Sequence, residues 1–144
     1  MNSHEIALEI TEKAKQHFKS NLYCVLLYGS SISAKRKPND IDLIVILKER
    51  ETKEDLKFFR EKINKYEREI DLQILNTIDI KSKHFSHDSH GEFIVLFLKL
   101  AKVLYGKNPF LEINTDYSRQ VTSIIQKMQY YYFKAKKIQA NAPL

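Results

Sequence analysis

The sequence predicts an α/β (α+β) domain: a mixed β-sheet of three or more strands covered by helices. Three observations predict it. Residues 22–28 and 40–47 are nearly continuous apolar runs of strand length, the second opening on two acids. Residues 69–75 alternate, with Ile70, Leu72 and Ile74 set against Glu69, Asp71 and Gln73, as a half-buried strand does. Around these runs, apolar residues recur at helical spacing, in the order α-β-β-α-β-α-α.

The first helix is expected over about residues 3–19, where Ile6, Ala7, Ile10, Ala14 and Phe18 form one face and Asn2 or Ser3 the N-cap. Gly29 ends the first strand. Residues 31–39 are polar and basic and include Pro38, so they form a loop. The β-branched run that follows Asp40 and Asp42 reads as a central strand. Thr52-Lys53-Glu54-Asp55 resembles a capping box one carbon short, and Leu56, Phe59, Ile63 and Tyr66 make the stripe of the helix it opens. After the third strand the chain reads as helical. Residues 92–104 form an apolar helix packed on the sheet and stopped by Gly106 and Pro109. A last amphipathic helix carries Val121, Ile124, Ile125, Met128, Tyr131 and Tyr132. Residues 1–110 form the domain, and 111–144 pack on it as a C-terminal amphipathic helix.

At 144 residues the chain is long enough to bury a core without staples. Its 43% hydrophobic and 29% charged residues are ordinary for a globular protein. No apolar stretch approaches the ~20 residues that span a bilayer, and no signal-peptide layout opens the chain. A single cysteine, Cys24, excludes an internal disulfide and favours a cytoplasmic setting. The net charge of +6 favours phosphate-bearing partners, although solubility alone also accounts for it.

The chemistry lies in the acids. Side chains two apart on a strand share a face, so Asp40 and Asp42 present two carboxylates with Cβ atoms roughly 7 Å apart. Such a pair repels itself unless a cation neutralises it, and an oxygen-only donor set suits Mg²⁺, or Mn²⁺ in its place. Asp71 offers a third carboxylate from another strand. If the two strands are neighbours, three acids converge as two-metal phosphoryl transfer requires. Gly29-Ser30-Ser31 ends the first strand at the same edge, where glycine admits a phosphate close to the backbone. Alone, Gly-Ser is commonplace and Asp-x-Asp is an ordinary solvated strand entry; their ordered combination is not.

Leu27-Tyr28-Gly29-Ser30, Asn39-Asp40-Ile41-Asp42-Leu43-Ile44-Val45 and Glu69-Ile70-Asp71-Leu72 resemble the DNA polymerase beta-like nucleotidyltransferase superfamily, in particular its minimal stand-alone members. The resemblance covers roughly residues 20–105 and implies a polymerase beta palm-like fold. It further implies that Gly29, Ser30 and Ser31 bind nucleotide phosphates and that Asp40 and Asp42 hold metal. Asp71 would complete the metal site and help activate an acceptor hydroxyl. The implied activity moves a nucleoside monophosphate, with AMP from ATP favoured, onto a hydroxyl of a protein, RNA or small molecule, releasing pyrophosphate. Such proteins also pair with HEPN-type helical proteins in toxin–antitoxin couples. Where many of them carry Arg-Gly or Lys-Gly after Gly-Ser, this chain has Ser33-Ala34, with Lys35, Arg36 and Lys37 beyond. That departure motivates the alternative of a catalytically weak or inactive module of the same fold, binding a nucleotide or a partner.

His84, His87 and His90 with Asp88 have a metal-like composition, but a loop leading to a helix N-cap at Asp88 or Ser89 explains them more simply. The run from Tyr130 to Lys137 mixes aromatic and basic residues, as single-strand binders do. At helical spacing, however, Tyr131, Tyr132 and Ile138 fit packing on the domain or on a partner better.

Overall fold

The computed structural model describes residues 1–29, 40–81, 95, 97–114 and 117–142, with the backbone alone at 40, 117, 119, 120 and 123. Helix α1 (Ser3–Phe18) starts where Asn2 and Glu5 satisfy each other's backbone N–H groups in a capping box. A short 3₁₀ turn, Lys19–Asn21, leads into β1 (Leu22–Tyr28), and β2 (Asp40–Leu47) pairs with it antiparallel. Helix α2 (Lys53–Ile63) then carries the chain to β3 (Glu69–Asn76), which runs parallel to β2. The Thr52–Asp55 capping box is present in full, so the shorter aspartate closes it as a glutamate would. Helix α3 (Thr77–Lys81) follows directly.

One expectation is corrected beyond this point. Helical backbone occurs at Val95 and at 97–99, but Lys102–Gly106 is a strand, β4, rather than the end of a helix. It pairs antiparallel with β1, giving, among the described residues, a four-stranded mixed sheet in the order β3-β2-β1-β4. The cause is the second edge of β1: a strand buried this deeply must have its N–H and C=O groups paired on both sides. Gly106, at φ 76, permits the contact, because a Cβ there would overlap the Tyr23 carbonyl oxygen. A 3₁₀ turn, Pro109–Glu112, and the long helix α4 (Tyr117–Ala140) follow.

Alternation on β2 divides the core in two. Ile41, Leu43, Val45 and Leu47 face α1 and Phe59 of α2. Ile44 and Ile46 face the other way, with Cys24, Leu26, Val95, Leu98 and Phe110. Burying each such aliphatic side chain is worth about 1.5–3 kcal/mol. Asn108 ties the second layer together: its amide donates to the Leu98 carbonyl at 2.7 Å, and its oxygen accepts from the Phe110 N–H at 2.9 Å. On the first layer, His17 of α1 stacks on Phe58 of α2 at 4.1 Å and bonds the Asp55 carboxylate at 3.0 Å. This face is covered by α1 and α2.

Candidate active site

Asp40 opens β2 and Asp42 stands two residues on, at the head of a strand that is buried from Ile41 inward except at Asp42 itself. Asp42 lies on the side of the sheet that carries Ile44 and Ile46, away from α1 and α2. It is half-buried, register-paired with Tyr28 on one side and with Asp71 on the other. Residues paired across adjacent strands share a face, and parallel neighbours lie about 4.8 Å apart. The expectation that the strands of Asp42 and Asp71 adjoin is therefore met. Asp71 is exposed, with Ile70 and Leu72 turned to the α1 side.

Gly29 sits at the end of β1 with φ 71, in the left-handed region that favours glycine. A Cβ added there would overlap the Asp42 carboxylate at Oδ2. The glycine is thus required twice, by its backbone angle and by the side chain it must clear. It leaves main chain rather than side chain against the carboxylate.

A fourth acid joins the same edge. Glu69 is register-paired with Asp40, so Glu69-Ile70-Asp71 on β3 stands beside Asp40-Ile41-Asp42 on β2. In the sequence Glu69 stands as a polar position of an alternating strand and opens the Glu69-Ile70-Asp71-Leu72 motif, without a role of its own; the repeated acid-x-acid spacing was the signal that could have found it. Ser30 and Ser31 lie outside the described residues, as do Ser33-Ala34, Lys35 to Lys37, and the cluster of His84, His87, Asp88 and His90.

Among the described residues no three histidine, cysteine, aspartate or glutamate side chains close on one point. Asp40 enters that description through its backbone only. The donors that are described, Asp42 and Asp71, supply hard oxygen atoms from adjacent strands. That chemistry fits a Mg²⁺-type ion rather than a thiolate- or imidazole-seeking one. Cys24 takes no part: burial in the second layer pushes its thiol up to about 12, which keeps it neutral and unreactive.

The mixed sheet brings carboxylates on neighbouring strands beside a glycine turn. The family model described as polymerase beta, nucleotidyltransferase matches residues 9–110, and the chain belongs to that family. No curated protein matches it. Among solved structures, the spectinomycin adenyltransferase AAD(9) from Enterococcus faecialis, with ATP and spectinomycin, is similar in fold at TM-score 0.65 and 19% identity. That match covers 90% of this chain and 67% of the other. A tri-AMPylated Shewanella oneidensis HEPN toxin in complex with MNT antitoxin is similar at TM-score 0.47 and 16% identity, covering 96% and 93%. The polymerase beta-like fold expected from the acid motifs is the fold observed. No helix among the described residues is long and apolar enough to cross a membrane.

Proposed function

We propose that this nucleotidyltransferase moves AMP from ATP to a hydroxyl on a protein, an RNA end or a small molecule, with Mg²⁺ or Mn²⁺ as its metal. The observation that carries the reading is the register of Asp42 with Asp71 beside Gly29. Asp40 and Asp42 would hold the metal, with Asp71 as the third ligand, and Gly29, Ser30 and Ser31 would seat the phosphates. A metal held there would supply positive charge to offset the charge developing on the phosphates. Asp71, exposed at the sheet edge, takes the proton of the acceptor hydroxyl. The acceptor oxygen then bonds the α-phosphorus, the bond from that phosphorus to the bridging oxygen breaks, and pyrophosphate leaves. ATP as donor is supported by the ATP held in the AAD(9) structure of the same fold.

We place the protein in the cytoplasm, in keeping with its one buried thiol, beside a HEPN-type helical partner in a toxin–antitoxin pair. The resemblance of the acid motifs to minimal stand-alone members implies that partner, and the exposed apolar side chains of α4 support a protein contact. A second reading, a binding module without turnover, draws on Ser33-Ala34 in place of the basic-glycine pair. Calorimetry with ATP and Mg²⁺, run alongside a pyrophosphate assay in cell extract, separates the two. Transfer predicts pyrophosphate release with each turnover; tight ATP binding without release means the module.

A further inference from the structure

Helix α4 stands apart from the rest of the molecule in what it leaves uncovered. Among its described side chains only Ile124 and Lys127 are half-buried; the others are exposed. Met128 is 67% exposed and Ile138 64%. Ile125, Tyr130, Tyr132 and Phe133 are exposed on other faces of the helix, but six residues fall in a regular order. Val121, Met128 and Ala135 repeat every seven residues, and Ile124, Tyr131 and Ile138 repeat three places further on. Alternating steps of three and four place all six along one seam, the pattern by which one helix packs against another. From 121 to 138 the seam runs about 26 Å at 1.5 Å per residue. An apolar stripe of that length is more than a monomer ordinarily leaves in water, and it marks an interaction surface.

Charge narrows the occupant. Within residues 117–140 stand Arg119, Lys127, Lys134, Lys136 and Lys137, with neither Asp nor Glu among them. A second copy of α4 laid on the seam would bring two helices of the same sign together. A nucleic acid would meet the lysines but leave the aliphatic seam wet. A helix with an apolar stripe and carboxylates along its rim satisfies both features. We propose that α4 is the docking surface for an acidic amphipathic α-helix of a protein partner. The partner's apolar stripe lies along the Val121–Ile138 seam and its carboxylates lie near Lys134 and Lys137. This rests on the proposal that the chain has a protein partner, but not on nucleotidyl transfer, and its test reads binding alone.

The probe is a synthetic four-heptad peptide with leucine at the seam positions and glutamate flanking them, fluorescently labelled, and a twin with lysine in place of glutamate. Anisotropy with the full chain is expected to show saturable binding of the glutamate peptide, at least tenfold tighter than the lysine twin. Met128→Glu with Ile138→Glu should weaken binding at least tenfold. Because both side chains are exposed, far-UV circular dichroism should be unchanged. Lys134→Glu with Lys137→Glu should reverse the preference between the two peptides. Equal binding of both peptides, or no binding, overturns the proposal. So does a single-stranded oligonucleotide that displaces the peptide and is lost with the same seam variant. Light scattering that shows a stable dimer, broken by Met128→Glu with Ile138→Glu, overturns it in favour of a second copy.

Discussion

At the scale of single residues, Gly29 and Asp71 make the most specific demands. Gly29→Ala places a methyl group into the Asp42 carboxylate at a backbone angle that alanine resists. Strain of this kind costs on the order of 1–3 kcal/mol. The expected outcome is a lowered melting temperature together with lost transfer, read by thermal unfolding and by pyrophosphate release. Asp71→Asn keeps size and exposure but removes the proposed proton acceptor. Transfer should fall about 10²–10⁴-fold, the range of general-base loss, while calorimetry still registers ATP. Both acids were legible in the sequence because strand alternation fixes which residues share a face. Their adjacency was not, since nothing in residues 69–75 says which strand lies beside them. That came from the parallel pairing of β2 with β3.

At the scale of elements, α2 is held at its start by a reciprocal pair: Thr52 Oγ1 accepts from the Asp55 N–H, and the Asp55 carboxylate accepts from the Thr52 N–H, each at 3.1 Å. Thr52→Ala should cost about 1 kcal/mol by urea denaturation, the usual loss for an N-cap. The Thr52 N–H bond, aided by the Thr52 side chain and His17, holds the Asp55 carboxyl below the ordinary aspartate range. A depressed carboxylate contributes stability above its unfolded pKa of about 3.9 and loses it as pH falls through the folded value. The urea midpoints of the wild type and Asp55→Asn should therefore differ at pH 6 and converge below about pH 4. The capping box was readable because it is local. Strand β4 was not. Residues 92–104 are apolar apart from Glu92, Lys99 and Lys102 and hold no glycine or proline to mark a change of structure, so that the segment reads as helix or strand alike. Only the unpaired side of β1, a tertiary demand, turns Lys102–Gly106 into a strand.

At the scale of the whole molecule, the sheet separates support from chemistry. One face is sealed by α1 and α2. The other keeps a second apolar layer under Val95, Leu98 and Phe110 and carries Asp42 beyond it, at the entry to β2. The described carboxylates of the proposed site therefore stand on a pair of adjacent strands, and a change of one carboxylate oxygen to nitrogen at Asp42 should leave the fold intact. The direct test gives the wild-type chain and Asp42→Asn ATP labelled on its α-phosphate, with Mg²⁺ and cell extract to supply the acceptor. The account predicts a labelled acceptor and pyrophosphate from the wild type, and neither from Asp42→Asn at an unchanged melting temperature. Equal labelling by the two proteins would contradict it.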